Sequence, residues 1–469
     1  MADNQSGKTT FGVRETFGNR FGVVAAAAGS AIGLGNIWKF PYITGVNGGA
    51  AFIIVYLLCI AIIGLPVMLS EFVIGRNAKK NAIGSFKKLA PGTPWFLTGW
   101  MGVIAAFTIL SFYGVVAGWT LEYIFRAVTG FFDGKSAEEI GKAFGSYVSS
   151  PVRPVFWQLI FMAMTGYIVY AGVKDGIEKY SKILMPMLLV MIVILDIRAL
   201  TLPGASKGID FLFKPDFGAL TANGVLMALG HAFFSLSLGM GTMITYASYI
   251  KDDENLATSA VQVTIADTVI ALLAGLAIFP AVFAFGIEPG AGPGLVFITL
   301  PSIFNQLPFG DLFSFIFFLL LAVAALTSSI SILECFVAYI SEELNLSRHK
   351  AAIIGTVSIS IIGVIASLSM GPWSGFTILG KNIFDCLDWV SANLLLPLGG
   401  MFIALFIGWF WGRKRLEDEL SSNGKFSVSY VGILILLCKV ISPVAILFVF
   451  LHGIGVLDNI LAVFGISIG

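Results

Sequence analysis

The sequence predicts an all-α protein that crosses a membrane many times, and three observations carry that prediction. Of the 469 residues, 57% are hydrophobic and only 12% charged, with a mean hydropathy of +0.91, whereas an average soluble domain carries about 25% charged residues. Apolar segments of membrane-crossing length recur along the whole chain. Two of them are interrupted in mid-span by glycine-rich stretches, which a plain membrane helix would not contain, because unpaired backbone groups in hydrocarbon are costly.

Taken in order, segments near the roughly 20 residues needed to span a bilayer lie at 20–43, 50–75, 97–126, 155–173, 179–200, 220–249, 257–287, 310–341, 350–369, 384–411 and 428–453. That gives about eleven transmembrane helices. The polar stretch 1–19 has no cleavable leader pattern and is expected to be a cytoplasmic tail. Residues 20–453 are expected to form one domain, with spans one to five over about 20–200, spans six to ten over about 220–411 and span eleven over about 428–453. The tail 454–469 is apolar but too short to cross. With the N-terminus inside, eighteen Lys and Arg residues fall on the inner side and eight on the outer, which favours a cytoplasmic N-terminus and an external C-terminus.

The net charge of +1 and the lack of a basic arm argue against a nucleic-acid partner. Four cysteines without CxxC spacing point to neither a disulfide framework nor a metal centre. An enzyme would need a nucleophile with its base, or a metal set, yet the three histidines are far apart and show no HExxH pattern. A channel would call for rings of repeated polar residues rather than a closed site.

The first interruption, residues 29–36 (GSAIGLGN), breaks span one; the second, 235–241 (SLSLGMG), breaks span six. Broken helices at corresponding places in two halves mark the binding site of a solute transporter, and a five-span offset implies an inverted repeat. Freed carbonyls near Gly29, Ala31 and Ile32, with the Asn36 amide oxygen, can ligate a hard cation. Freed amides at Leu34 and Gly35 open the outer half-helix and can receive a carboxylate. Thr327 and Ser328 sit deep in span eight, where their hydroxyls either bind an ion or bond back to the preceding turn. Asp267 lies deep in span seven with no Lys or Arg nearby in sequence, and an acid at that depth is a functional candidate.

These residues bring the chain to a known family. The run from Gly29 through Asn36 to Tyr42, then Asn47 to Ala50, Gly64 to Pro66 and Glu71 to Arg76, resembles the opening of the sodium:neurotransmitter symporter family. The resemblance continues through Phe112-Tyr113, Gly118 to Thr120, Phe233 to Gly241, Tyr246 to Tyr249 and Leu326 to Ser329, and so spans one to ten. Eleven spans resemble its bacterial amino-acid transporter branch, which implies residence in a bacterial inner membrane. The resemblance implies a five-plus-five inverted repeat with broken helices one and six, and sodium-coupled import by alternating access.

By that resemblance Ala31, Asn36, Ser235 and Asp267 form one sodium site, and Gly29, Ile32, Ala324, Thr327 and Ser328 a second. The substrate positions are Ala31, Gly33, Leu34, Gly35, Ile109, Tyr113, Phe234, Ser235, Ser237, Met240, Ser329 and Ile332, with Tyr113 bonding the substrate carboxylate. Glycine at 33, where family members that carry monoamines have Asp, implies an amino-acid substrate, and the apolar lining a hydrophobic or aromatic one. Another small zwitterion, or a sensor built on the same fold, stays open. Chloride-dependent members carry Asn near Asp267 and Ser one turn later, where this chain has Ala271; the acid then replaces chloride as counter-charge beside Tyr56, His231 and Ser235. Its protonation in the return step would couple transport to proton antiport. Lys39 and Asp388 resemble an outer gating pair, while Arg14 and Glu342, with Phe17 and Tyr249, resemble an inner one. Glu71 matches a family position near the ion sites; Glu334 and Lys439 have no role from sequence.

Overall fold

The computed structural model describes residues 15–287 and 294–463 and is built from helices. The first broken span is α1 (Arg20–Ala31) followed by α2 (Gly35–Val46), bent by 49°. Then come α3 (Ala50–Ala78), a short α4 (Ala82–Leu89), α5 (Phe96–Val128), α6 (Ala137–Val148), α7 (Arg153–Tyr170), α8 (Val173–Leu200) and a short α9 (Ala205–Phe213). The second half continues with α10 (Ala222–Ser235), α11 (Thr242–Ala247), α12 (Leu256–Ala284), α13 (Leu295–Phe304), α14 (Gly310–Glu343), α15 (Arg348–Leu368), α16 (Ile383–Trp411), α17 (Arg413–Leu420), α18 (Val431–Gly453) and α19 (Val456–Val463).

Eight of these helices are long and apolar enough to cross a membrane, or up to ten if each bent pair counts as one span. The expected count of eleven is therefore not reproduced by length and composition. The sixth expected span fails the test because its two halves, α10 and α11, hold 14 and 6 residues. The fourth coincides with α7 alone. Its bent companion α6 is amphipathic and opens with a capping box from Ser136 and Glu139, the signature of a surface helix.

Burial separates core spans from peripheral ones, which hydropathy cannot do. In α5 and α14 the most apolar windows are 83% and 89% buried, against 28% in α18 and 33% in α8. The first two pack along one another at the centre, and the last two turn most of their surface outward. The broken helices lie against this centre. The first half of one touches the second half of the other, α1 on α11 and α2 on α10, so the two run antiparallel. That arrangement brings both breaks to one depth.

Candidate functional site

The first break follows from local backbone chemistry. α1 closes with Ile32 N–H bonded to Ala28 O at 2.7 Å, and Ile32 then turns to an extended conformation, ψ 107°. Gly33 has no room for a side chain: a Cβ there would lie 2.5 Å from Ser328 Oγ and 3.0 Å from Tyr113 Oη. Asn36 Oδ1 accepts from Gly33 N–H at 3.0 Å, and Tyr113 Oη accepts from Leu34 N–H at 3.2 Å. A π-helical turn over Gly35–Lys39 then restarts the helix, a local widening frequent at functional sites.

In the second break, Ser237, Gly239 and Gly241 adopt positive φ of 54°, 78° and 73°. Glycine takes such angles freely. Ser237, which does not, is held by its hydroxyl on Ser30 O at 2.8 Å. The freed Gly239 N–H donates to Glu71 Oε1 at 2.8 Å, which places this buried acid at the unwound segment itself. Met240 is buried and its carbonyl accepts from Cys335 Sγ at 3.4 Å.

Asp267 joins the two breaks. Asn36 Nδ2 donates to Asp267 Oδ1 at 2.7 Å, to Asp267 O at 3.1 Å and to Ser235 Oγ at 3.2 Å. Ser235 Oγ donates to Asp267 Oδ2 at 2.9 Å and Tyr56 Oη donates to Ser235 Oγ at 3.3 Å. The sequence expectation pointed the Asn36 amide oxygen at a cation. In the structure that oxygen faces Gly33 N–H, because the amide nitrogen is drawn to the carboxylate. All three residues are buried to within 1%. His231 lies beside them, stacked on Phe40 at 5.8 Å and 5.4 Å from Tyr56, with both ring nitrogens unbonded.

A second oxygen group forms where α14 meets α1. Ser328 Oγ lies 3.3 Å from Gly29 O and 3.1 Å from Ile32 O. Thr327 Oγ1 bonds back to Ala324 O at 3.1 Å and Val323 O at 3.2 Å, while its Cβ sits 3.2 Å from where a Gly29 Cβ would be. Both groups are rich in oxygen and lack thiolate and imidazole donors, which suits a hard monovalent cation.

The apolar positions Ile109, Met240 and Ile332 are each under 4% exposed, and Ala31 is buried with them. Phe234 is half-buried, its ring 3.2 Å from a Gly35 Cβ position on one side and 4.6 Å from Lys39 Nζ on the other. Ser329 departs from expectation. Its hydroxyl donates to Leu326 O and pairs with Thr165 Oγ1, both at 2.9 Å, so it turns toward α7 and away from the break. One residue along a helix is a 100° rotation, and Ser328 takes the inward direction instead.

The expected outer pair is not brought together. Lys39 rests over Phe234, and among the described residues no ion pair joins it to Asp388, whose carbonyl accepts from Ser391. On the inner side Arg14 lies outside the described residues. Phe17 is buried edge-on to Tyr246 and Tyr249 at 5.9 and 6.0 Å and donates its N–H to Tyr249 O at 3.1 Å. Glu342 Oε2 accepts from the backbone and side-chain nitrogens of Asn81, each at 3.0 Å.

Two charges without a role from sequence acquire partners. Glu334 accepts from the Nη1 and Nη2 of Arg348 at 2.9 and 2.7 Å and from the Tyr249 hydroxyl at 2.5 Å. The signal was present in the chain, since Arg348 opens the helix that follows the short loop after α14. Lys439 Nζ lies 4.1 Å over the exposed Trp409 ring, a snorkelling lysine on an interfacial aromatic.

Fold and site together define a membrane transporter with paired broken helices. The family model for the sodium:neurotransmitter symporter family matches residues 14–139 and 148–461, and the chain belongs to that family. Among its relatives is a sodium-dependent transporter of Bacillus subtilis, YhdH, 43% identical over 94% of this chain and 98% of that protein. A sodium-dependent transporter of Haemophilus influenzae is 39% identical over 94% of this chain and 98% of its own length. The human sodium- and chloride-dependent GABA transporter 2 is 27% identical, over 87% of this chain and 75% of that protein. The crystal structure of MhsT in complex with L-phenylalanine superposes with a TM-score of 0.87 at 49% identity, covering 94% of this chain and all of that one.

Proposed function

We propose that this protein imports a hydrophobic or aromatic amino acid together with two sodium ions, by alternating access across a bacterial inner membrane, without need of chloride. The observation that carries the reading is the Asp267 carboxylate, bonded to Asn36 of the first broken helix and sited beside Ser235 of the second. A sodium ion there takes Ala31 O, Ser235 and Asn36 as neutral ligands, the Asn36 amide turning its oxygen from Gly33 N–H to the ion. Asp267 supplies a fixed negative charge, so no halide is required. In this reading the substrate carboxylate meets the Leu34 and Gly35 amides and the Tyr113 hydroxyl, and completes the same ion's shell. The second ion takes Gly29 O, Ile32 O, Ala324 O, Thr327 and Ser328.

Coupling follows from shared ligands. Sodium and substrate each bind better when the other is present, and each draws both broken helices into one arrangement. The absence of any side chain at Gly33 leaves the substrate as the source of the carboxylate. Support for an aromatic side chain comes from the relative solved with L-phenylalanine and from the lining by Ile109, Phe234, Met240 and Ile332. Lys39 leaving Phe234 for Asp388 would close the outer side; Arg14 and Glu342, with Phe17 and Tyr249, would close the inner. Purified protein in liposomes tests the reading: labelled phenylalanine competed by each of the twenty amino acids should be displaced best by apolar and aromatic ones. A profile led by charged amino acids refutes the apolar lining.

A further inference from the structure

Between the ends of α3, α4 and α16 and the whole of α17 lies a cavity of about 690 Å³, none of whose lining residues belongs to either break. Its walls carry Arg76, Lys79, Lys88 and Arg415 against Asp252, Asp418 and Glu419. Two of those cations are already spent inside the protein. Arg76 Nε binds Glu419 Oε1 at 2.5 Å, with a further bond from Nη1 to Glu254 O at 2.6 Å, and Lys79 Nζ binds Asp252 at 2.8 Å. The other two are not. Lys88 gives one hydrogen bond to Ala78 O at 3.0 Å and is otherwise exposed, and Arg415 is exposed with no ion pair among the described residues. The sequence around Lys88 is one-signed, since residues 72–121 hold Arg76, Lys79, Lys80, Lys87 and Lys88 and no Asp or Glu, whereas Arg415 is followed by Glu417, Asp418 and Glu419.

The cavity also sits at headgroup depth. Its floor is the buried Trp411, two residues beyond Trp409, which is 64% exposed and capped by Lys439. Exposed Leu97 and Phe410 continue that apolar rim. Aromatic and lysine side chains of this kind mark the boundary between hydrocarbon and headgroups, and basic hollows at that boundary hold anionic lipid heads. The volume falls within the range of small-molecule sites.

We infer that this hollow binds the phosphate head of an anionic glycerophospholipid from the adjacent leaflet, with Lys88 and Arg415 as its ligands and the acyl chains lying along Leu97 and Phe410. This site is independent of the transport reading above. It ties the end of α4 to α17, so lipid occupancy should reinforce the junction that Arg76 of α3 and Glu419 of α17 already make beside it.

The test is thermal unfolding of the full-length protein in neutral detergent, titrated with dioctanoyl phosphatidylglycerol, dioctanoyl phosphatidylcholine or inorganic phosphate. Phosphatidylglycerol should raise the midpoint, with half-saturation moving about fivefold for each cation removed in Lys88→Gln and Arg415→Gln. The control pair Lys174→Gln and Lys350→Gln, which removes two exposed basic residues elsewhere, should leave the titration unchanged. Arg415→Gln alone keeps the test decisive if the double variant folds poorly, since Arg415 has no ion pair to lose among the described residues. An unaltered titration in Arg415→Gln overturns the site. An equal rise with phosphatidylcholine overturns the charge requirement, and an equal rise with inorganic phosphate overturns the lipid as occupant.

Discussion

Asp267 is the residue on which the electrostatics of the site turn. No Lys or Arg among the described residues pairs with it, and its carboxylate accepts from Asn36 and Ser235. Removing one donor from a buried carboxylate costs about 1–3 kcal/mol. Asn36→Ala should therefore weaken sodium-dependent substrate binding by about tenfold, and Thr327→Ala should weaken it at the second group; wild-type sodium titrations in both variants would refute the assignment. Replacing chloride by gluconate should leave uptake unchanged, and uptake that vanishes without chloride would show that Asp267 is not the counter-charge. Gly33→Ala places a methyl 2.5 Å from Ser328 Oγ, and overpacking of this kind costs about 1–3 kcal/mol, so substrate affinity should fall with it. At this scale the chain was readable wherever a residue type was improbable in a membrane, as with Asp267, Asn36 and Gly33. It was not readable where only direction mattered. Ser328 and Ser329 are identical in chemistry, and helix rotation alone sends one to α1 and the other to Thr165.

At the scale of elements, buried Glu334 and partly exposed Arg348 form a pair that fastens α14 to α15 and, through Tyr249, to the end of the second broken helix. Removing one partner of such a pair leaves an uncompensated charge and costs about 3–5 kcal/mol. Arg348→Leu should lower the thermal midpoint sharply, whereas Glu334→Leu with Arg348→Leu should recover part of the loss. A double variant as unstable as the sum of the singles would mean the pair contributes no coupling. Long apolar spans such as α5 and α14 were legible from hydropathy. The short helices α4, α6 and α9 were not, because their apolar faces are set by what they pack on. The bend of α6 on α7, 72°, likewise depends on tertiary contacts that periodicity does not encode.

For the whole molecule, the proposed function puts sodium and substrate in one shell between the antiparallel broken helices, so their affinities should rise together by the same factor. Fluorescence or scintillation binding titrations should show phenylalanine increasing sodium affinity as much as sodium increases phenylalanine affinity. The architecture was legible because two breaks five spans apart admit few topologies. The number of crossings was less so, since a broken span has no long apolar helix to count. The most direct measurement of sodium-coupled symport is uptake of labelled phenylalanine into liposomes holding the purified protein, driven by an inward sodium gradient and repeated with potassium or choline in place of sodium. Concentrative uptake with sodium and none with the other cations is the expected result; equal uptake in all three would contradict it.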